Sequence, residues 1–550
     1  MNRNVIRFTP FQDQKAGTSG LRKKTAEFQR PHYLESYVQA IFDSLGGAQG
    51  KTFALGGDGR YFCTEACQVI IKMAAAQQAE RLIVGQNGLF STPALSHQVR
   101  LRDCDGGFVL SASHNPGGAQ GDFGVKFNVK GGGASPDQLN AKVYERSKEL
   151  SAYSLLDCKD IDLSQPARLQ LMQTKIEVVD PVQDYLELME QIFDFEQLSA
   201  LFANGFHLQY DAMSAVTGPY AQAIFEQRLG ARKGSVINAR PLPDFGGGHP
   251  DPNPLWAKEL MSIMMDAQGN QARPDLGAAS DGDGDRYMIL GKDCYINPSD
   301  SLAFIAANAD CLPYYRDKLS GFARSMPTSR ALDAVAKARN LPCYETPTGW
   351  KFFASLLEAG KISICGEESF GSSSLHVREK DGIWAVLMWL SIIAHQRQQP
   401  KQQQIQVADL IKQHWQRYGR HYYSRHDYEE INAASAAEMM ARLQGLMPQL
   451  IGQSYAGFLV ESCDNFSYQD PIDQSISENQ GLRIFFDQGA RIVLRLSGTG
   501  TKGATLRLYL ERYHASIIDD ESLLAPLVQA AEELVQIKAY TQKSKADVIT

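Results

Sequence analysis

Residues 107–118 read Gly-Phe-Val-Leu-Ser-Ala-Ser-His-Asn-Pro-Gly-Gly, an apolar run fit for a strand that breaks into a polar loop rich in glycine and proline. The same pattern recurs along the chain. Residues 81–85 run into Gln86-Asn-Gly88, 207–210 into Asp211-Ala-Met-Ser214, 276–280 into Asp281-Gly-Asp-Gly-Asp-Arg286, and 361–365 into Gly366-Glu-Glu-Ser-Phe-Gly371. Between them, apolar residues fall at helical spacing over 34–45, 65–78, 181–201, 219–228 and 330–339. Short strands alternating with helices predict stacked α/β units, and open sheets of that kind bind ligands at the carboxyl ends of their strands. The fold class expected through about residue 400 is therefore α/β, with chemistry in the strand-end loops.

Beyond a Gln-rich stretch at 396–404 the pattern changes. Helical spacing at 407–418 and 437–446 is followed by alternating strands at 491–496 and 505–511 around Ser497-Gly-Thr-Gly-Thr-Lys-Gly-Ala504, then by helical spacing at 523–540. This predicts a separate α+β domain.

The 550 residues, 43% hydrophobic and 21% charged, suit a globular chain of three or four domains. A net charge of -7 leaves no basic excess for a nucleic-acid backbone, so no nucleic-acid partner is expected. Nine scattered cysteines without a C-x-x-C pair read as reduced thiols. The first fifteen residues are polar, unlike a signal peptide. The longest apolar run, 382–394, falls short of the ~20 residues that span a membrane. A cytoplasmic protein with no membrane partner is the expectation. Monomer and dimer stay equally open.

Three carboxylates at alternate positions, Asp281, Asp283 and Asp285, can converge on one hard divalent cation, because the intervening glycines let the backbone turn tightly. An EF-hand does not fit, since its sixth position is Arg286 and its twelfth Lys292. Three ligands leave positions open for a phosphate oxygen and water, which suits Mg2+. The bland alternative is a solvated acidic turn. Ser113, at a strand-to-loop turn before His114-Asn-Pro-Gly-Gly118, can present its hydroxyl while backbone N–H groups bind an anion. An ordinary β-turn uses the same residues. A Ser-His-Asp hydrolase fits worse, because there is no G-x-S-x-G elbow and an adjacent histidine is poorly placed as the base. Arg495 and Arg507, with Ser497, Gly498 and Thr499, offer the groups that recognise a phosphate dianion. Glu367 and Ser369 can exchange hydrogen bonds with sugar hydroxyls.

Taken in order, Gly17-Thr-Ser-Gly-Leu-Arg22, the serine loop, Gly121-Asp-Phe-Gly-Val-Lys-Phe-Asn128, the acidic loop, Thr346-Pro-Thr-Gly-Trp-Lys-Phe-Phe353, Cys365-Gly-Glu-Glu-Ser-Phe-Gly371, His376-Val-Arg-Glu-Lys-Asp-Gly382 and Arg495-Leu-Ser-Gly-Thr-Gly500 resemble the motifs of the α-D-phosphohexomutases. The resemblance covers nearly the whole chain. It implies four domains around one cleft, at 1–182, 183–298, 299–398 and 405–550, the first three α/β and the last α+β of the TATA-binding-protein-like type. It implies isomerisation of glucose 1-phosphate and glucose 6-phosphate through phosphorylated Ser113 and glucose 1,6-bisphosphate, with Mg2+ held by Ser113, Asp281, Asp283 and Asp285. By the same resemblance Thr348, Gly349, Glu367 and Ser369 bind the sugar, while Arg495, Ser497, Gly498, Thr499 and Arg507 hold the non-reacting phosphate. Arg22, His114, Lys126, Arg286 and Lys380 line the reacting centre, with a lysine such as Lys380 as an acid/base and the division of proton transfers among the catalytic Lys380, Lys126 and His114 left open. Ser111 stands where the family pattern often carries Thr. A mutase of the same superfamily acting on mannose or glucosamine phosphates is the runner-up, and the Glu367/Ser369 loop favours the glucose enzyme over the mannose-using branch. A non-catalytic phosphoprotein homologue and a magnesium-dependent sugar phosphatase are the readings from other classes.

Overall fold

The computed structural model describes every residue except 1, 18, 266–272, 498–502, 519 and 521. Four main sheets organise the chain. The first runs Leu21–Lys24, Asp122–Val129, Gly106–Leu110, Thr52–Gly57, Arg81–Leu89, Thr174–Val179 and Ala167–Leu171 across its width. Its four central strands are parallel and its edges antiparallel. Thr52–Gly57 and Gly106–Leu110 are buried at every position, so they read as unbroken apolar or small-residue runs without alternation.

The second sheet runs Val236–Ile237, Leu208–Asp211, Leu276–Ser280, Tyr287–Gly291 and Cys294–Ile296. The third runs Cys343–Thr346, Phe322–Ser325, Ile364–Glu367 and Gly371–Ser374. All three sheets share one core order. A first strand (Thr52–Gly57, Leu208–Asp211 or Phe322–Ser325) lies between the second and third, all parallel, and a fourth folds back antiparallel on the third. The sequence shows no repeat, but the backbone repeats three times. In each unit the connection from third to fourth strand is one of the loops singled out above, at 111–121, 281–286 and 368–370. Each loop thus lies beside the point where the chain switches from one side of the first strand to the other, the usual ligand crevice of such sheets.

The apolar run at 382–394 becomes most of helix Gly382–Arg397 and is buried at every one of those positions. Being apolar all round, it sits inside the core shared by the first three sheets. Its Trp384 and Trp389 donate to Tyr315 Oη and Ser301 Oγ, each at 2.8 Å. Among the described residues no helix is long and apolar enough to cross a membrane. The helical stretch at 181–201 is two helices, Gln183–Ile192 and Phe195–Ala203. Extended Asp194 separates them and caps the second by accepting from Gln197 N at 2.9 Å. Helix Val407–Tyr418, placed with the fourth domain on sequence, buries Val407, Leu410 and Ile411 in the core of the preceding sheets instead. Its apolar stripe finds its partner there.

The fourth sheet is antiparallel throughout, in the order Ser454–Tyr455, Phe458–Asn465, Leu482–Phe486, Ala490–Ser497, Ala504–His514, Arg420–Ile431 and Val548–Ile549. Helices Ala433–Leu450 and Ala525–Val535 contribute apolar residues to its core. Arg420–Ile431 carries no apolar run, so nothing marked it as a strand in the sequence. Arg491 fastens this sheet to the third. It is 1% exposed, lies 2.6 Å from Glu511 Oε2, and donates to the carbonyls of Met326 and Thr328 at 3.0 and 2.9 Å. Arg491→Met takes from Glu511 Oε2 its guanidinium while Arg330 and His421 stay on Oε1, and a loss of about 3 kcal/mol, the lower end for breaking a buried pair, is expected. Urea denaturation of the variant against the parent measures it.

Candidate functional site

Ser113 occupies the left-handed region at φ +53°, uncommon for a residue with a Cβ. Its N–H donates to Ser111 Oγ at 2.7 Å and its carbonyl accepts from Arg60 Nη2 at 2.7 Å. The turn so formed sends Ser113 Oγ across to the second unit, where it donates to Asp281 Oδ2 at 2.9 Å. His114 Nδ1 lies 3.3 Å from the same hydroxyl.

Asp281, Asp283 and Asp285 are the one group of His, Cys, Asp or Glu side chains among the described residues that could hold a metal ion, with ligand atoms within 4.8 Å of one another. All three are at most 2% exposed. The loop is shaped by Asp281 itself, whose Oδ1 accepts from the backbone N–H of Asp285 and Arg286 at 2.9 and 3.0 Å. Burial pushes the Asp281 carboxyl well up, and the charges of Asp283 and Asp285 push it further. Asp283 Oδ1 and Asp285 Oδ1 are buried without hydrogen-bond partners among the described residues. Crowded carboxylates with orphaned oxygens fit a hard divalent cation, which would satisfy the oxygens and cancel the repulsion.

The predicted cations surround this triad. Lys126 Nζ lies 2.7 Å from Asp283 Oδ2 and 3.9 Å from Asp285 Oδ2, and Lys380 Nζ lies 3.1 Å from Asp285 Oδ2. Burial disfavours the Lys126 charge, yet Asp283 and Asp285 outweigh it and raise its pKa, so the ammonium stays protonated. Lys380 reaches the triad by crossing Gly371, where an added Cβ would lie 2.2 Å from Lys380 Cδ. Arg286 Nη1 is 3.6 Å from Asp251 Oδ1. His114 is held neutral: burial lowers its pKa well below the ordinary value, and Arg286, Arg22, His249 and Arg507 lower it further. Those partners come from the first, second and fourth sheets and their loops, so all three face one space. Arg22 Nε, Arg286 Nε, Arg507 Nε and Thr348 Oγ1 are buried donors without hydrogen-bond partners in the described structure. Leaving such a donor unmet costs about 1–3 kcal/mol, and an anionic, hydroxylated ligand would remove that cost.

In the third unit Glu367 is 5% exposed and accepts from Gly349 N at 3.1 Å, which ties the Thr348-Gly349 turn to the glutamate loop. Gly349 has φ +134°, a conformation that a side chain would strain. Ser369 is half-buried at the tip of that loop, whereas Glu368 turns inward to accept from Ser325 and Thr328 hydroxyls. Arg495 and Arg507 are direct cross-strand partners, and Ser497 pairs with Thr505 along the same two strands. Like charges opposite one another destabilise a sheet unless an anion or acid lies between them. Asp427, also opposite Arg507 and 3.7 Å from its Nε, supplies part of that compensation. Gly498 and Thr499 lie outside the described residues.

Several groups escaped the sequence reading. Thr92 donates its hydroxyl to Asp283 Oδ2 at 2.7 Å and its N–H to the Asp283 carbonyl at 2.9 Å. Asp58 and Arg60 underlie the serine turn, in the stretch Gly56-Gly-Asp-Gly-Arg60 that leaves the strand Thr52–Gly57 with the same strand-to-loop signature as the serine and acidic loops. Glu379 is 3% exposed beside Lys126 and Lys380, and its Oε1 has no hydrogen-bond partner among the described residues.

Comparison with known proteins yields four consecutive family matches. They are the phosphoglucomutase/phosphomannomutase alpha/beta/alpha domains I (13–154), II (183–294) and III (298–418), and the phosphoglucomutase-1 C-terminal domain (420–547). A phosphoglucomutase of Rhizobium radiobacter is 53% identical, covering 99% of each chain. A cytoplasmic phosphoglucomutase of Populus tremula is 46% identical over 100% of this chain and 99% of its own. The solved open form of the exocytosis-sensitive phosphoprotein pp63/parafusin (phosphoglucomutase) from Paramecium superposes with a TM-score of 0.91. It is 44% identical and covers 100% of this chain and 99% of that one.

Burial pushes the Glu379 carboxyl up to about 7, with Lys126 acting against the shift and Asp285 adding to it. Between the ordinary 4.5 and about 7 the folded protein keeps a proton that the unfolded chain has lost. The contribution of this site to stability is therefore full below the lower value and declines as pH rises to the upper one. Glu379→Gln is expected to flatten that decline, read from urea midpoints of metal-free protein across the interval.

Proposed function

The chain belongs to the phosphoglucomutases of the α-D-phosphohexomutase superfamily, and from that premise we propose how its residues divide the interconversion of α-D-glucose 1-phosphate and glucose 6-phosphate. Ser113 is the phosphoryl carrier. In its phosphorylated form the bond from Ser113 Oγ to phosphorus breaks as the free hydroxyl of a glucose monophosphate bonds to that phosphorus. The hydroxyl gives up its proton, Ser113 regains one, and glucose 1,6-bisphosphate results. The bisphosphate turns round in the cleft and returns its other phosphate to Ser113. One observation carries this assignment: Ser113 Oγ, held in a left-handed turn, meets Asp281 at 2.9 Å inside a ring of Arg22, Lys126, Arg286 and Lys380.

The metal proposed for the triad is Mg2+, held by Asp281, Asp283, Asp285 and the Ser113 phosphate, and when bound it supplies charge neutralisation at the transferring group. Lys126, fixed as a cation by Asp283, adds positive charge beside the Ser113 loop. Lys380 exchanges the proton of the sugar hydroxyl, and neutral His114 orients the Ser113 hydroxyl. Thr348, Gly349, Glu367 and Ser369 grip the sugar, while Arg495, Ser497 and Arg507, with Gly498 and Thr499, hold the phosphate that is not reacting. A two-ended intermediate lets this single clamp serve both half-reactions. Phosphoryl transfer needs positioning and charge compensation more than covalent help, and these groups supply both. The cytoplasmic location expected from the sequence is proposed here by likeness to the cytoplasmic relative.

The deciding experiment is a coupled assay with glucose, mannose and glucosamine 1-phosphates side by side, in Mg2+ and a trace of glucose 1,6-bisphosphate. Glucose 1-phosphate is expected to turn over fastest, without steady release of inorganic phosphate. Ser113→Ala is expected to lose nearly all activity with the fold intact by circular dichroism. A variant as active as the parent would overturn the phosphoserine route.

A further inference from the structure

We propose that Asp58, Arg60 and Ser111 are positioning residues for the nucleophile, locking the left-handed turn that aims Ser113 Oγ at the acidic loop. The proposal rests on Ser113 being the phosphoryl carrier. None of the three belongs to the set that lines the reacting centre, and they act from behind the loop. Asp58 follows the first strand of the first unit and Ser113 follows the third, which is its parallel neighbour through Gly57 and Leu110. The two strand ends are therefore adjacent at the switch point, and the pair is placed to govern what the neighbouring loop does.

The control is exercised on both sides of one residue. Ser111 donates its hydroxyl hydrogen to Asp58 Oδ2 at 2.6 Å, which leaves a lone pair of Ser111 Oγ to accept from Ser113 N–H at 2.7 Å. Arg60 Nη2 meanwhile donates to the Ser113 carbonyl at 2.7 Å. The N–H and the C=O of the nucleophile are thus both fixed by a single ion pair, one through Ser111 and one directly. With both ends held, the φ of +53° is over-determined, as a strained conformation must be if it is to persist.

Arg60 spends every face of its guanidinium on this task. Nε donates to both Asp58 oxygens at 3.0 and 2.9 Å, Nη2 lies 2.9 Å from Asp58 Oδ2, and Nη1 donates to the Asp122 carbonyl at 2.8 Å. Asp122 begins the strand that carries Lys126, so Arg60 ties the loop at its serine and at its exit. The guanidinium also lies over the Phe245 ring, 5.2 Å from its centroid, in the segment after the second unit's first two strands. A lysine could not reproduce this planar fork. Both charged side chains are 0% exposed. A buried pair of this kind adds little net stability over apolar packing, and a role in fixing one conformation accounts for its place here.

The test compares Ser111→Ala, Ser111→Thr and Arg60→Lys in the full enzyme with Mg2+. Ser111→Ala leaves the Asp58–Arg60 pair standing while removing the acceptor for Ser113 N–H and the hydroxyl donated to Asp58 Oδ2. Its kcat is expected to fall about 100-fold, the scale of a displacement near 1 Å, with KM for glucose 1-phosphate within about twofold of the parent. The rate at which glucose 1,6-bisphosphate phosphorylates Ser113 should fall in step. Ser111→Thr restores the hydroxyl and should restore kcat. Arg60→Lys should lower kcat more than Ser111→Ala does. Near-parental kcat in Ser111→Ala, or a loss that threonine fails to rescue, would overturn the proposal. Ser113→Ala assayed in parallel separates the two ideas: its inactivity beside an active Ser111→Ala refutes positioning alone, and its activity refutes the carrier itself.

Discussion

Asp281, Asp283 and Asp285 are buried within 4.8 Å of one another, and much of the cleft is organised around holding that concentration of negative charge. Lys126 comes to it from the first sheet and Lys380 from just beyond the third, while Arg286 is contributed by the acidic loop itself. Thr92 braces Asp283 through its hydroxyl and its N–H. Ser113 points into the same cluster. A cation-compensated acidic nest is where a phosphate ester can be held, moved and returned, because the chemistry of phosphoryl transfer is chiefly a matter of charge and alignment.

The architecture delivers these parts by repetition. Three sheets share one strand order, and each turns the end of its third strand and the connection after it toward the common space, so one backbone plan places the Ser113 hydroxyl, the aspartate triad and Glu367. The fourth sheet follows a different plan and brings paired arginines on adjacent strands. Arg491 and Glu511 bind it to the third sheet from inside, with His421 Nδ1 2.7 Å from Glu511 Oε1. The arginine pair is thereby carried on a body that is anchored to the third sheet.

Net charge is a poor guide to such a molecule. The chain is acidic overall at -7, yet the space that takes an anionic substrate is faced by Arg22, Lys126, Arg286, Lys380 and Arg507. Local placement reverses the sign that the composition suggests, and it also sets the ionisation of single groups. His114 is neutral because it is buried, and the cations around it add to that, whereas Lys126 is charged because Asp283 and Asp285 outweigh its burial.

The α/β character, the strand-end loops and several of the residues proposed to carry chemistry were legible in the chain, because strand burial and turn geometry are local demands that leave local marks. Ser113, the aspartate triad and Glu367 could be picked out for that reason. The helix break at Asp194 and the strand Arg420–Ile431 were not legible, since a cap can interrupt continuous helical spacing and a charged strand has no apolar run. Nor were the partnerships across the chain: Thr92 with Asp283, Lys380 over Gly371 to Asp285, and Asp58 with Arg60 behind Ser113. Those depend on which loops the sheets bring face to face. Folding alone settles them, because residues 53 to 191 positions apart acquire a shared dielectric and a hydrogen-bond geometry only when the sheets come together.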